Sequence, residues 1–243
     1  MPHKVCFASV DVEKNIENLA QILNIFKKHN VPATLFVTGR ILAEYSGKAE
    51  DWAEDYEIAC HSFTHRFWNA LDAKEREKEL DDFIALYRKI FNKKPLGFRA
   101  PSHIVDEQAL KLLEDKGFLY DSSIVPHYPP FKKYRGYRGR FPLIPYRPLE
   151  SPKFLEIPVA GQIFGIPLAA AWLDKLPLML YKVLFSISCP GFIALSWHSW
   201  NNLSNLEKII KLLKNKKYQF LNGEQIHDHM VSPDPPLLET HGF

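Results

Sequence analysis

The sequence predicts an α/β fold in which parallel strands close into a β/α barrel. Strand-like and helix-like segments alternate from Val5 to Leu221, the pattern of a parallel sheet with crossover helices. Asp11, His61, Arg99 and His198 all fall at or just after the C-terminal ends of predicted strands. In a closed barrel such ends meet on one face, where active sites are built. An open doubly wound sheet would spread the four along an edge. It would also be expected to follow its first strand with a glycine-rich phosphate turn, and Asp11-Val12-Glu13-Lys14 is not one.

The first strand is the apolar run 5–10. Ile16, Leu19, Ile22, Leu23 and Phe26 then repeat at helical spacing. Residues 33–37 read as the second strand, followed by Gly39, and residues 57–60 as the third, ending at His61. A helix over 73–91 puts Leu80, Phe83, Ile84, Tyr87 and Ile90 on one face. A fourth strand at 97–99 and a helix over 106–115, closing near Gly117, come next. Later strands are expected at 119–120, 154–157, 192–195 and 220–221, with a helix over 206–213. Residues 168–187 read as a helix interrupted by Pro177. Its Trp172, Leu173, Leu176, Leu180 and Leu184 would pack on the barrel or form a homo-oligomer interface. A membrane surface carrying a lipid-linked sugar is the third reading of that face.

The chain has 243 residues, 46% apolar and 24% charged, which suits one domain with a buried core. We expect a single catalytic domain over 1–231 and a loose, Pro-rich tail over 232–243. A formal charge of +3 is too small to argue for a nucleic-acid partner. Cys6, Cys60 and Cys189 are odd in number and far apart, so neither a disulfide framework nor a thiolate metal site follows. No transmembrane segment is expected, because Pro and Gly interrupt the uncharged stretches 157–173 and 183–197. Val5 opens an apolar strand almost at once, without the layout of a secretory signal, and a cytoplasmic location is expected.

Five fragments carry chemistry. His61 and His65, four apart, can converge on one divalent ion from a helical turn or a tight loop. Alone, such pairs are common; this one begins where a buried strand ends. Asp11 and Glu13 flank Val12, and strand alternation turns both carboxylates to one side. They could face a cation, or simply open a helix, where acidic residues are favoured. Arg99 could hold a carboxylate ionised through paired N–H donors, or be an ordinary surface arginine. His198, between Trp197 and Trp200, could be a general acid tuned by aromatic walls, or a structural histidine. The fifth fragment is Tyr120-Asp121-Ser122-Ser123, whose Asp121 is given no chemical role.

Taken in order, these fragments resemble the polysaccharide deacetylase superfamily, the metal-dependent carbohydrate esterases that include chitooligosaccharide and peptidoglycan deacetylases. His61-Ser62-x-x-His65, Arg99-x-Pro101 and the strand ending in His198 are its most specific parts. The resemblance runs from about Val5 to Phe220. It implies a distorted (β/α)7 barrel and a divalent metal, zinc first, with cobalt or nickel as alternatives. By position it implies Asp11 as catalytic base, His61 and His65 as metal ligands, Arg99 orienting the base and His198 as general acid. Ser62 would support the histidine loop. Many members carry two adjacent Asp residues at the first motif, whereas Val12 stands second here. A subgroup has acid-x-acid instead, which makes Glu13 the third ligand. The implied reaction removes an acyl group, N-acetyl above all, from an amino sugar or glycan.

The connection 122–149 holds Tyr128, Phe131, Tyr134, Tyr137, Phe141 and Tyr146 among six Lys and Arg residues, with no acid from 122 to 149. It reads as a solvated loop fastened by its aromatics, or as a contact for a phosphorylated or lipid-linked substrate. Rival readings are a deformylase of lipid-linked amino sugars, an allantoinase-like amidohydrolase, and a noncatalytic glycan-binding protein. The intact Asp11, His61, His65 and His198 argue against the last.

Overall fold

The structure is a computed structural model. It describes residues 4–126, 141–160, 162–163, 166–168, 176–201 and 203–231.

Strand β1 (Lys4–Val12) is the central staple of the sheet. On one side it pairs in parallel with β9 (Phe192–His198), in register from Val5↔Phe192 to Asp11↔His198. Two strands share its other side. β10 (Tyr218–Leu221) pairs with Lys4 to Phe7, and β2 (Thr34–Val37) pairs with Ser9 to Val12. The sheet continues in parallel through β3 (Glu57–Cys60), β4 (Gly97–Phe98), β5 (Tyr120–Asp121) and β6 (Leu155–Glu156). The result is a curled, mostly parallel half-barrel, the predicted α/β class. A short antiparallel pair, β7 (Gln162–Ile163) with β8 (Ile166–Pro167), follows β6. Leu168, just beyond it, accepts a backbone hydrogen bond from Ser196 of β9.

The sheet is buried on both faces, so its strands are continuous apolar runs. Alternation still sorts their side chains. Cys6, Ala8, Val10 and Val12 join a large cluster beneath the helices, as do Leu35, Val37, Ile58, Cys60, Phe98, Ile193, Leu195 and Trp197. Val5, Phe7, Phe36, Ala59, Tyr120, Leu155, Phe192 and Ala194 form a second cluster inside the curl. Cys6 and Cys60 are buried free thiols.

The helices cover the outer face. α1 (Leu19–Lys28) buries Leu19, Ile22 and Phe26 and leaves its lysines in solvent. α2 (Gly39–Glu44) and α3 (Ser46–Asp55) follow β2, in a stretch where apolar spacing predicts no element. α4 (Ala73–Phe91) opens on a reciprocal Asp72–Glu75 capping box and stops at Asn92, whose φ of 52° is left-handed. α5 (Glu107–Asp115) starts on the Asp106 side chain. α6 (Leu178–Ile187) begins after Pro177, whereas the sequence predicts a longer, interrupted helix from 168. Leu168 lies instead just past β8, and Trp172 and Leu173 fall outside the described residues. Leu176, Leu180 and Leu184 pack against the core. α7 (Leu206–Asn215) precedes β10, and α8 (Gly223–Val231) follows it.

No helix among the described residues is long and apolar enough to cross a membrane. Most of the aromatic and basic connection, residues 127–140, lies outside the described residues, as does the tail from Ser232. Phe141 and Tyr146, at the described end of that connection, pack against the core.

Candidate active site

The alternation that builds the inner cluster also delivers the site. Counting up β1, Val5 and Phe7 face inward, and Ser9, Asp11 and then Glu13 continue the same side. On β9 the inward series Phe192, Ala194 and Ser196 ends at His198, the register partner of Asp11. β3 turns Ala59 inward and then His61. Apolar residues fill the lower barrel, and polar ones begin where the strands reach its C-terminal rim.

Arg99 follows β4 and is fully buried. Its guanidinium donates to Asp11 Oδ1 at 2.7 Å and Ser9 Oγ at 2.9 Å from one nitrogen. The other terminal nitrogen donates to Ser122 Oγ, and Nε to the Ser122 carbonyl, each at 2.9 Å. The Phe36 ring lies beneath it, 4.0 Å from centroid to Cζ. Burial alone would push the Asp11 carboxyl up. Arg99, with His61, His198 and His103, overrides burial and holds it well below the ordinary carboxylate range.

Beside this pair, Glu13, His61 and His65 bring one ligand atom each within 4.8 Å of the others. A Glu13 oxygen lies 3.7 Å from His61 Nε2 and in direct contact with His65 Nε2. Burial works to raise the Glu13 carboxyl, but hydrogen bonding to both imidazoles holds it at about 2. His61 Nδ1 is 2.7 Å from the Arg99 carbonyl. A carbonyl only accepts, so Nδ1 carries a proton, which leaves Nε2 as the nitrogen that would offer its lone pair to a bound ion. Two imidazoles and a carboxylate facing one point is a donor set that a divalent ion of the zinc type satisfies.

The histidine loop is held from two sides. Glu79, buried on α4, accepts from Ser62 Oγ, Thr64 Oγ1 and the backbone N–H groups of Phe63 and Thr64. The first two N–H groups of α2, at Gly39 and Arg40, donate to the Ser62 and Phe63 carbonyls. Gly39 is required by that approach, since a Cβ there would lie 2.2 Å from the Phe63 ring. Ser62 and His65 both adopt left-handed φ of 64°, a costly conformation for non-glycine residues that these contacts impose.

His198 stands across Asp11, its Nε2 4.0 Å from Asp11 Oδ2. Its Nδ1 is 2.8 Å from Asn201 Oδ1, and its ring packs on Trp200 at 4.6 Å between centroids. His103, in the turn after Arg99, also faces the site. Burial, with Arg99, lowers its imidazole to about 3, so it is neutral at physiological pH. All six sequence-predicted residues, Asp11, Glu13, His61, His65, Arg99 and His198, are thus brought to one rim. Sequence reasoning misses Ser9, Glu79, His103 and Asn201, and gives Ser122, inside its fifth fragment, no role. Of these, Glu79 carries a signal, an acid beside the apolar face of a helix.

A family model, polysaccharide deacetylase, matches residues 2–120, which take in Asp11, Glu13, His61, His65 and Arg99. Over that stretch, just under half of its length, the chain is similar to the polysaccharide deacetylase family. Among curated relatives, the peptidoglycan deacetylase-like protein FGM2 of Gibberella zeae is 42% identical over 71 residues. That match covers 29% of this chain and 21% of the relative. The peptidoglycan deacetylase of Helicobacter pylori is 30% identical over 112 residues, covering 44% of this chain and 37% of the relative. The chain therefore spans well under half the length of these curated relatives. A candidate polysaccharide deacetylase structure from Mycobacterium smegmatis superposes with a TM-score of 0.70 at 19% identity, covering 99% of this chain and 96% of that one. A CE4 family pseudoenzyme from Bacillus anthracis superposes at 0.66 with 21% identity, covering 94% and 67%. The architecture is that of the distorted (β/α)7 barrel of these deacetylases. In this chain, the first motif is spaced by Val12, which packs fully buried on the outer face. Only residues two apart on β1 can share the inner one.

Proposed function

We propose that this protein is a metal-dependent hydrolase that removes an acyl group, N-acetyl first, from an amino sugar or glycan. The observation that carries the proposal is the position of Asp11. It is a buried carboxylate clamped ionised by Arg99, set between the Glu13–His61–His65 cluster and His198. A pseudoenzyme shares this fold, so these residues, and not the architecture, support catalysis.

Glu13, His61 and His65 would hold the ion, zinc or a similar divalent metal. Bound there, such an ion lowers the pKa of a coordinated water and polarises the substrate carbonyl. Asp11 has one oxygen committed to Arg99; the other, Oδ2, takes the proton of the attacking water as the C–O bond forms. Arg99 keeps Asp11 charged and oriented throughout. His198 delivers a proton from Nε2 to the amine as the C–N bond breaks, because an amide does not readily expel an unprotonated amine. Asn201 holds the imidazole in place through Nδ1. The products are a free amino sugar and a small carboxylic acid.

The test is metal analysis of the purified protein with a panel of acylated amino sugars. Acetate release from N-acetylglucosamine oligomers, dependent on zinc or cobalt, is expected. Loaded protein that hydrolyses no member of the panel, yet binds glycan, would establish the noncatalytic reading instead. Formate release in preference to acetate would move the assignment to a deformylase.

A further inference from the structure

Asp121 and Glu156 are both fully buried and face each other as register partners in β5 and β6. They share the outer face of the sheet with Phe98, so they lie across the sheet from Asp11. Their hydrogen bonds differ in a telling way. Asp121 accepts twice, from Ser123 Oγ at 2.6 Å and from the Ser123 N–H at 3.2 Å. Glu156 accepts the Ile124 N–H at 2.9 Å through Oε1, while its Oε2 is buried and receives no donor. A bare, charged oxygen there would be uncompensated. The two carboxyl groups are within hydrogen-bonding reach of each other, so a proton on Glu156 would be donated to Asp121.

We propose that Asp121 and Glu156 share one proton, carried by Glu156, and that this pair is a positioning unit for Arg99. Burial, and for Glu156 the neighbouring Asp121, push both carboxyls up, in keeping with a pair that cannot ionise twice. The pair fixes the strap 122–124 from outside. Glu156 holds Ile124, Asp121 holds Ser123, and Ser123 Oγ in turn accepts the Ala100 N–H at 2.8 Å. On the inside of the sheet the same strap offers both Ser122 oxygens to Arg99. The chain of contacts therefore runs from Glu156 through Asp121 and the strap to Arg99, and from Arg99 to Asp11. The remaining negative charge of the pair also balances a guanidinium that Asp11 alone would otherwise face.

The catalytic consequence rests on the function proposed above, but the pair can be tested without activity. At neutral pH the infrared difference between wild type and Glu156→Gln is expected to contain a carboxylic-acid C=O band. Its absence would overturn the proton assignment. The Arg99 Nε–H resonance in ¹⁵N NMR is expected to shift in Asp121→Asn and Glu156→Leu. It should stay close to wild type in Glu156→Gln, which keeps both a donor toward Asp121 and an acceptor for Ile124. Equal effects of Glu156→Gln and Glu156→Leu, or an unmoved Arg99 signal in all three, would overturn the positioning role. On an active enzyme, Asp121→Asn should lower kcat about tenfold with KM and bound metal unchanged, the pattern of a misplaced base. A loss confined to KM or to metal content would count against the proposal. An inactive wild type would refute the proposed function, whereas the infrared and NMR outcomes would still decide the role of the pair.

Discussion

Asp11 has two oxygens with different partners, and that division predicts how its variants behave. Asp11→Asn keeps the volume and an acceptor for Arg99 but loses the base. Its kcat should fall by about 10²–10⁴ while bound metal, measured by elemental analysis, stays near wild type. His65→Ala should instead lose metal, with activity lost as a consequence. Wild-type activity in Asp11→Asn would remove it from the role of base. These residues are legible in the sequence because each combines a chemical side chain with a strand end. Ser9, Ser122 and Asn201 are not, since small polar residues follow no period and only the folded chain brings them to Arg99 and His198.

The element that carries the two proposed histidine ligands is the loop 61–65, and its anchor is on another element. Glu79 collects four donors from this loop. Glu79→Ala leaves buried N–H and O–H groups unpaired and should cost about 3 kcal/mol of stability. Chemical denaturation would measure that loss, and metal affinity should fall with it. A stability within about 0.5 kcal/mol of wild type would show that the loop holds itself. The long strands and the amphipathic α1, α4 and α7 are readable from apolar spacing. α2 is not, being six residues long and placed by its contact with Phe63 rather than by a stripe of its own. α3 buries only Ala49 fully, so its sequence carries little helical period.

Across the whole molecule, the site makes the metal-free protein acid-sensitive. Asp11 and Glu13 titrate lower when folded than the ordinary carboxylate values of about 4, Glu13 at about 2. His103 titrates at about 3, against about 6.5 for a free imidazole. In each case the unfolded chain binds the proton first as pH falls, so stability declines with acid. The His103 contribution is present above about pH 6.5 and is lost toward pH 3; the carboxylate contributions are present above about pH 4 and are lost toward pH 2 and below. Thermal unfolding followed from pH 7 to pH 3 should show a falling Tm, with a shallower slope in His103→Gln. An identical slope in that variant would rule out His103 as a contributor. Added zinc should raise Tm at pH 7, by about 2.7 kcal/mol of stability at a hundredfold excess over Kd, and Glu13→Gln should blunt the rise. The barrel-like architecture is legible in the sequence because alternation and strand-end chemistry agree. The sharing of one side of β1 by β2 and β10 is not, since it depends on pairing partners far apart in the chain.

Arg99 touches both halves of the site with different parts of itself. Its carbonyl sets the tautomer of His61, and its side chain aims Asp11. One residue therefore removes the relative freedom between the group proposed to grip the ion and the group proposed to take the proton. Side-chain replacement can uncouple them in only one direction. Arg99→Lys retains the carbonyl and so should retain metal while losing alignment of the base, whereas no side-chain change can disturb the His61 tautomer and spare the peptide that carries the guanidinium. On the proposed function, a barrel of this kind could therefore drift to a metal-loaded, inactive form by a single substitution.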